Sequence, residues 1–109
     1  MIGGGHTEES GAAAAQTLLD SDPRPTAVVT FNDRSAMGLV DTLIRAGLDI
    51  PGSISVVGYD DSPLARLAHI DLTTVSQNPG QLTEHAVAAL IERLDNGRVG
   101  HREVVVRPR

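Results

Sequence analysis

The sequence of 109 residues contains no cysteine and no lysine, and aromatic residues make up only 2% of it. Without cysteine, disulfide bridges and thiolate metal sites are excluded. The nine basic residues are all arginine, so a Schiff-base amine, a P-loop lysine and any other catalytic ammonium are excluded as well. The scarcity of aromatic residues leaves no stacking platform for nucleic-acid bases.

Basic runs and long apolar runs are missing too. The formal net charge is −5, so we do not expect this chain to grip nucleic acid by itself. No apolar run approaches membrane-spanning length and no signal peptide is visible, so we expect no membrane partner. With 40% hydrophobic and 21% charged residues, the composition is that of an ordinary globular domain with a modest core.

The most apolar β-rich stretch is residues 54–61, with the sequence Ile-Ser-Val-Val-Gly-Tyr-Asp-Asp. Residues 54–59 predict a strand that is buried on both faces, as in the middle of a parallel sheet. The strand stops at Asp60 and Asp61. Ligands of open α/β sheets bind just beyond the carboxyl ends of the strands, so both carboxylates are placed where such folds bind ligands.

The segments before this strand alternate between helix and strand patterns. Thr7 is suited to cap a helix that runs to residue 19, and residues 20–25 predict a loop. Residues 26–31 predict a strand that ends at Asn32 and Asp33. A helix at about residues 34–46 follows, with Met37, Val40, Leu43, Ile44 and Gly47 on one face.

The segments after the strand continue the alternation. Residues 63–67 predict a turn or short helix, and residues 72–76 a short strand. A helix is expected to begin at Asn78, with Pro79 at its first position and Gln81 completing a capping box, and to end at Asn96-Gly97. Residues 103–107 predict a last strand.

This order is typical of βαβ units, so we predict an α/β fold with a partial doubly wound, mostly parallel sheet flanked by helices. The strands at 26–31 and 54–59 should be parallel neighbours joined by a right-handed crossover, with Asn32 and Asp60 side by side at one edge of the sheet. Three or four strands are few for a sheet with cover on both faces. We therefore expect the chain to be a piece of a larger domain.

Three motifs carry a resemblance to a known family. They are residues 25–33 (PTAVVTFND), 47–61 (GLDIPGSISVVGYDD) and 72–77 (LTTVSQ). In this order and spacing they resemble the C-terminal part of the effector-binding core of LacI/GalR transcriptional repressors, and the similarity runs from about Gly4 to the last residue. The resemblance implies a periplasmic-binding-protein-like core of type I with two lobes and a small effector, often a sugar, bound between them.

The resemblance also implies the remaining domain organisation. Residues 1–76 and about 101–109 would form the C-terminal lobe, and about 77–100 the crossover and a helix of the other lobe. Operator DNA would be bound only through an N-terminal helix-turn-helix that is absent here. The expected protein is a cytoplasmic repressor, not an enzyme, and it needs no cofactor and no metal.

The resemblance assigns site residues one by one. Asn32, Asp60 and Gln77 fall on positions that hydrogen-bond effectors in the family, and His6 falls where many members place an aromatic residue against the ligand. A carboxylate accepts from two adjacent hydroxyls, whereas an amide both donates and accepts, so these residue types suit a sugar.

Each assignment has a simpler alternative. Asn32 or Asp33 could serve only as a helix cap, and for Asp33 we expect the cap role. Asp61 fits a solvated turn residue, Gln77 could satisfy backbone groups at the crossover, and His6 could be an exposed loop residue.

Two other functions remain open on the residues alone. Asp33, Asp60 and Asp61 could form a magnesium-binding pocket for phosphoryl transfer, although sites of that kind usually include a lysine. The chain could also be part of a secreted sugar-binding transport protein with the same fold. Upstream sequence would separate repressor from transporter, and a magnesium titration would identify the enzyme.

Two apolar patches could either pack in the core or mark an interface, and the resemblance favours the interface of a two-fold symmetric homodimer, with or without exchanged elements. The helix after Asn32 has more apolar surface than one sheet face can cover, and a second patch follows Pro63. Members of the family dimerise through the segments that match residues 36–41 and 64–69. The interface residues expected here are Ala36, Met37, Val40, Asp41, Leu64, Leu67 and Ala68.

Overall fold

A computed structural model describes residues 1–97 and 100–109, and the chain divides into two compact units, Met1–Val75 and Ser76–Arg109. We expected a division near the same point, but with residues 101–109 returning to the first lobe. In the structure, residues 101–109 are grouped in the second unit together with the helix that precedes them. The assignment of the units to two lobes stays a prediction.

The first unit alternates helix and strand in the predicted order, and each element overlaps the range expected for it. Its elements are α1 (Glu8–Leu19), β1 (Ala27–Val29), α2 (Asp33–Arg45), β2 (Ser55–Tyr59), a 3₁₀ helix (Pro63–Arg66) and β3 (Thr73–Val75).

The three strands form one parallel sheet in the order β1-β2-β3. Val29 of β1 is in register with Val57 of β2, and Tyr59 of β2 is in register with Val75 of β3. This confirms that the first two predicted strands are parallel neighbours connected through α2. β2 is the central strand, as its apolar sequence predicts.

Burial of the central strand on both faces, however, was a wrong prediction. The Ile54 and Val56 side chains are buried on the face that α2 covers. On the opposite face Tyr59 is exposed, and Val29 of the neighbouring strand is 78% exposed. Within the described part of the first unit the helices thus cover one face of the sheet, and the apolar run of β2 has packing partners on that face.

Two helix N-termini are capped, the first by Thr7 as predicted and the second by Asn32, one of its two predicted candidates. Thr7 accepts a hydrogen bond from the Ser10 N–H, and the Ser10 hydroxyl accepts one in return from the Thr7 N–H. Asn32 and Ser35 form the same reciprocal pair at the start of α2. Such capping boxes satisfy backbone donors that would otherwise lack a partner in the first helical turn, and they fix where each helix begins.

The buried stripe of α2 is rotated relative to the predicted one. Ala36, Leu39 and Leu43 are buried in the core, which also contains Ile54 and Val56 of the central strand region. From the predicted stripe, Met37 and Val40 only border this core, and Ile44 is exposed. Because α2 packs against both α1 and β2, the residues on the side of α2 that faces these two elements are the buried ones.

Two glycines allow α1 and α2 to pack closely. A Cβ atom added to Gly11 would lie 1.9 Å from the carbonyl oxygen of Ser35, and one added to Gly38 would lie 1.8 Å from the carbonyl oxygen of Glu8. Each helix therefore places a glycine against the backbone of the other. This close approach fixes the N-terminal ends of both helices beside each other.

The second unit contains α3 (Pro79–Asn96), which begins differently from the prediction. Asn78 lies at φ 55°, in the left-handed region, and among the described residues its side chain makes no capping bond. An N-cap needs an extended backbone, so the expected capping box with Gln81 does not form. The other end is as predicted, because Gly97 at φ 63° forms a left-handed C-cap.

The predicted last strand at residues 103–107 is wrong, since residues 101–109 have no regular secondary structure in the described chain. A strand needs a neighbour to pair with, and the pairing here is limited to one residue. Arg109 exchanges two backbone hydrogen bonds with Ser76.

None of the helices that the structure describes is long and apolar enough to span a membrane.

Candidate functional site

The carboxyl ends of β1 and β2 meet at one edge of the sheet. Val29 is in register with Val57, and the pairing continues with a hydrogen bond from the Thr30 N–H to the Val57 carbonyl oxygen, 2.9 Å. Continued for three residues, the same register matches Asn32 with Asp60. The topology therefore brings these two candidate ligand residues to the same edge, where parallel α/β sheets bind ligands.

Asn32 serves as the N-cap of α2, the simpler of the two roles expected for it. Its Oδ1 accepts from the Ser35 N–H at 2.8 Å, and its amide nitrogen donates to the His6 carbonyl oxygen at 3.1 Å. A side-chain amide has two N–H groups and two acceptor lone pairs, so these two contacts leave one N–H donor and one acceptor lone pair unused by them. The cap fixes the amide in place, and its remaining capacity is compatible with a ligand.

His6 lies next to Phe31, an aromatic residue that the sequence motifs did not single out. The centroids of the two rings are 4.0 Å apart, and the planes are inclined by 65°. Phe31 is 65% exposed and immediately precedes Asn32. The chain has one phenylalanine and one tyrosine, and their positions directly before Asn32 and Asp60 were the signal that could have identified Phe31.

The turn after β2 has an unusual backbone. Asp60 has φ 112° and Asp61 has φ 54°, a region that residues other than glycine rarely adopt. The Asp60 N–H donates to the Val75 carbonyl oxygen at 2.9 Å, which anchors the turn to β3. Strained residues of this kind are often found at binding sites, where the surrounding structure holds them in place.

Asp61 is not the solvated turn residue that we expected. Its carboxylate accepts two hydrogen bonds from the Arg66 guanidinium, at 2.9 and 2.7 Å. This bidentate ion pair joins the turn to the 3₁₀ helix and is the more directional kind of arginine–carboxylate contact. The pair raises the pKa of Arg66, mainly through the side-chain hydrogen bond.

Asp33 is not a helix cap either, because Asn32 already has that role. Its side chain is 1% exposed. One carboxylate oxygen accepts from the Ser62 N–H at 2.7 Å, and the other accepts from the Thr74 hydroxyl at 2.5 Å. Sequence reasoning missed this link, because Asp33 and Thr74 are far apart in the chain and meet only through the strand order.

A second ion pair connects the N-terminal turns of α1 and α2. The Arg34 guanidinium donates to both oxygens of Glu8, at 3.0 and 2.7 Å. Mainly through this hydrogen bonding, Arg34 lowers the pKa of Glu8 from its ordinary value of 4.5. Two negative groups of the first helical turn, Glu8 and Glu9, also lie where the helix dipole favours them.

The other selected residues occupy different parts of the chain. Gln77 belongs to the second unit and is exposed, and its expected contact with a ligand stays a prediction. In the expected dimer surface, Ala36 is 0% exposed and packs in the core, so it offers no surface to a partner. The remaining members are exposed or half-buried: Met37, Val40, Asp41, Leu64, Leu67 and Ala68.

The described residues contain no group of three or more histidine and acidic side chains that could hold a metal ion. Of the three carboxylates in the alternative magnesium pocket, Asp33 is directed into the protein and Asp61 is paired with Arg66.

A cavity of about 700 Å³ lies within the first unit between the N-terminal segment, α1 and β1. It includes Phe31 in its wall but neither Asn32 nor Asp60.

Residues 2–109 match the periplasmic binding protein-like domain family. A curated relative, the ribose operon repressor of Haemophilus influenzae, is 37% identical over 100 residues, which cover 92% of this chain and 30% of that protein. The chain thus spans about a third of the length of the curated relatives it matches. By its name, this relative is a regulator of transcription and not an enzyme.

Solved structures of similar proteins have the same fold. A LacI transcriptional regulator from a Rhodococcus species is 50% identical, with a TM-score of 0.80 over 84% of this chain and 34% of that one. A Lactobacillus casei regulator with bound glucose is 37% identical, with a TM-score of 0.77 over 88% and 36%. An Enterococcus faecium regulator with bound ribose is 29% identical, with a TM-score of 0.83 over 94% and 38%.

Proposed function

The chain belongs to the LacI/GalR family of regulators with a periplasmic-binding-protein-like effector domain, and on this basis we propose that it binds a sugar effector for a transcriptional repressor. The observation that carries the proposal is the parallel pairing of β1 with β2, because its register, extended by three residues, places Asn32 and Asp60 at the carboxyl edge of the sheet. Two relatives of known structure hold glucose or ribose, which supports a monosaccharide as the effector.

The chemistry of the edge suits a sugar. The Asp60 carboxylate accepts hydrogen bonds from neighbouring hydroxyls, and the Asn32 amide supplies one more donor and one more acceptor. The rings of His6 and Phe31 offer an apolar surface beside these polar groups. A small number of placed polar groups next to an apolar wall is the usual composition of a small-molecule site.

The wider function follows from the family. Operator DNA would be bound by a separate helix-turn-helix domain, since a net charge of −5 does not favour contact of this chain with DNA. The protein would act in the cytoplasm, without catalysis. Gln77 would contribute a further hydrogen bond to the effector, as its place in the motif at residues 72–77 implies.

A homodimer is part of the proposal. Leu64 and Leu67 expose large apolar side chains on and next to the 3₁₀ helix, and Met37 and Val40 are half-buried on α2. Apolar side chains that remain accessible on a small domain often mark interfaces. Because the 3₁₀ helix begins next to the turn that holds Asp60, effector site and interface would lie close together in each protomer.

Calorimetry of the chain against a panel of monosaccharides, including ribose and glucose, tests the proposal. The Asp60→Ala variant should bind its sugar more weakly by roughly 1.5–3 kcal/mol, the range for hydrogen bonds to a charged group. Asp20→Ala is the matched control, because Asp20 is exposed at the end of α1. Equal affinity of both variants and the unaltered chain would show that Asp60 does not contact the effector.

A further inference from the structure

We propose that Asp33 is the positioning residue of this site, because its buried carboxylate holds the turn at residues 60–62 in the shape that presents Asp60. The inference rests on the proposed function and deepens it. Asp33 follows the ligand residue Asn32 in the chain, and through hydrogen bonds it reaches the turn that carries the other ligand residue. It thereby sets the position of Asp60 relative to Asn32.

The contacts of Asp33 reach both sides of the turn. One oxygen accepts a hydrogen bond of 2.7 Å from the N–H of Ser62, the residue that directly follows Asp60 and Asp61. The other accepts from the hydroxyl of Thr74 in β3, and the Asp61 N–H donates to this same hydroxyl at 3.4 Å. The Asp33 carboxylate and the Thr74 hydroxyl together contact the backbone of two consecutive turn residues.

The turn needs such a hold because its backbone is strained. Asp60 at φ 112° and Asp61 at φ 54° are conformations that persist only where neighbouring groups enforce them. A main-chain bond from Asp60 to Val75 fixes the start of the turn. The Ser62 N–H is the donor at its other end, and Asp33 supplies the acceptor.

The fold makes room for this carboxylate. Asp33 is 1% exposed, and a Cβ atom added to Gly58 of β2 would lie 2.3 Å from its Oδ1. Its place in the first turn of α2 also favours a negative charge, since the helix N-terminus has a partial positive charge. A buried carboxylate with two hydrogen bonds and a helix end nearby is stabilised without exposure to solvent.

The first experiment measures amide hydrogen exchange and backbone NMR shifts of the full chain. In Asp33→Ala the Ser62 amide should exchange about tenfold faster or more, because it loses a bond to a charged acceptor. The resonances of Asp60 and Asp61 should shift with it. Ser62→Ala is the control, since it keeps the backbone N–H and removes a hydroxyl that has no hydrogen-bond partner among the described residues.

Thr74 provides a second test if Asp33→Ala does not fold. Thr74→Val removes the hydroxyl that contacts Asp33 and Asp61, whereas Thr74→Ser keeps it. We expect accelerated Ser62 exchange and shifted Asp60 resonances in the valine variant, and values close to those of the unaltered chain in the serine variant. If these effects came instead from a loss of packing around residue 74, the serine variant would show them too, because serine lacks the methyl group of threonine.

Sugar affinity completes the design. Calorimetry with ribose and glucose should show affinity about tenfold weaker for Thr74→Val and little changed for Thr74→Ser and Ser62→Ala. If the unaltered chain binds neither sugar, the proposed function fails for these sugars, whereas the exchange rates still decide the role of Asp33. Unchanged Ser62 exchange and unchanged Asp60 resonances in folded Asp33→Ala or Thr74→Val would overturn the inference.

Discussion

Replacing Asp60 with glycine should leave the protein more stable than replacing it with alanine, and both replacements should weaken effector binding. Asp60 has φ 112°, a conformation that costs a residue with a Cβ atom about 1–3 kcal/mol and costs glycine almost nothing. Glycine gives back about 0.5–1 kcal/mol through the larger entropy of its unfolded chain. Asp60→Gly should therefore exceed Asp60→Ala in the free energy of unfolding by up to about 2.5 kcal/mol.

The comparison with Asp60→Ala isolates the contribution of the backbone. Both variants lose the carboxylate and every interaction that it makes, so their difference in stability comes from the Cβ atom that alanine retains. Both should therefore bind the effector weakly, but Asp60→Gly should unfold at a higher temperature than Asp60→Ala. For a domain of this size, 1 kcal/mol corresponds to roughly 4 °C.

Thermal and urea unfolding, followed by circular dichroism and by the fluorescence of Tyr59, measure this difference. The chain has one tyrosine and no tryptophan, so the fluorescence reports on the residue next to Asp60. If Asp60→Gly were no more stable than Asp60→Ala, the backbone of Asp60 would not be strained. That result would refute the inference that the surrounding structure holds this residue in place for binding.

Three further predictions concern packing, pH and assembly. Gly38→Ala should destabilise the first unit by about 1–3 kcal/mol in urea unfolding, although alanine favours helix, because its methyl group would overlap the backbone of α1. The control Gly80→Ala, in the open first turn of α3, should not destabilise the protein. Equal effects of the two substitutions would argue against the close contact between α1 and α2. The pKa of Glu8 is lower in the folded protein, so its pair with Arg34 stabilises the fold fully above about pH 4.5, and this stabilisation is lost as the pH falls through the folded-state pKa. The difference in the free energy of unfolding between the unaltered chain and Glu8→Gln should therefore shrink on acidification. A difference that stays constant with pH would contradict this. Leu67→Glu should shift the mass in light scattering at micromolar concentration from dimer to monomer, and a monomeric unaltered chain would rule out the proposed dimer.

Local signals predicted most of the elements correctly. Thr7 and Asn32 have side chains that cap a helix, and both do so. The run of β-branched residues before Asp60 becomes the central strand. These features depend on residues close in the chain, where side-chain hydrogen bonds and backbone preferences act without the rest of the fold.

The errors arose where an element depends on a partner. Residues 103–107 have the composition of a strand, but no neighbouring strand pairs with them in the described chain. Asn78 is a good capping residue by type, yet its backbone lies in the left-handed region. On α2, the choice between Met37 and Ala36 as the buried side was decided by the contact with α1, which periodicity does not show.

The sequence by itself determined the α/β class, the order of the elements in the first unit, and the placement of Asn32 and Asp60 after the first two strands. These follow from apolar runs, turn residues and caps, all of which are local. The tertiary structure alone decided that Asp33 contacts Thr74 and Ser62, and that Phe31 packs against His6. Such contacts depend on which strands become neighbours and in which register, and no spacing in a single sequence encodes that.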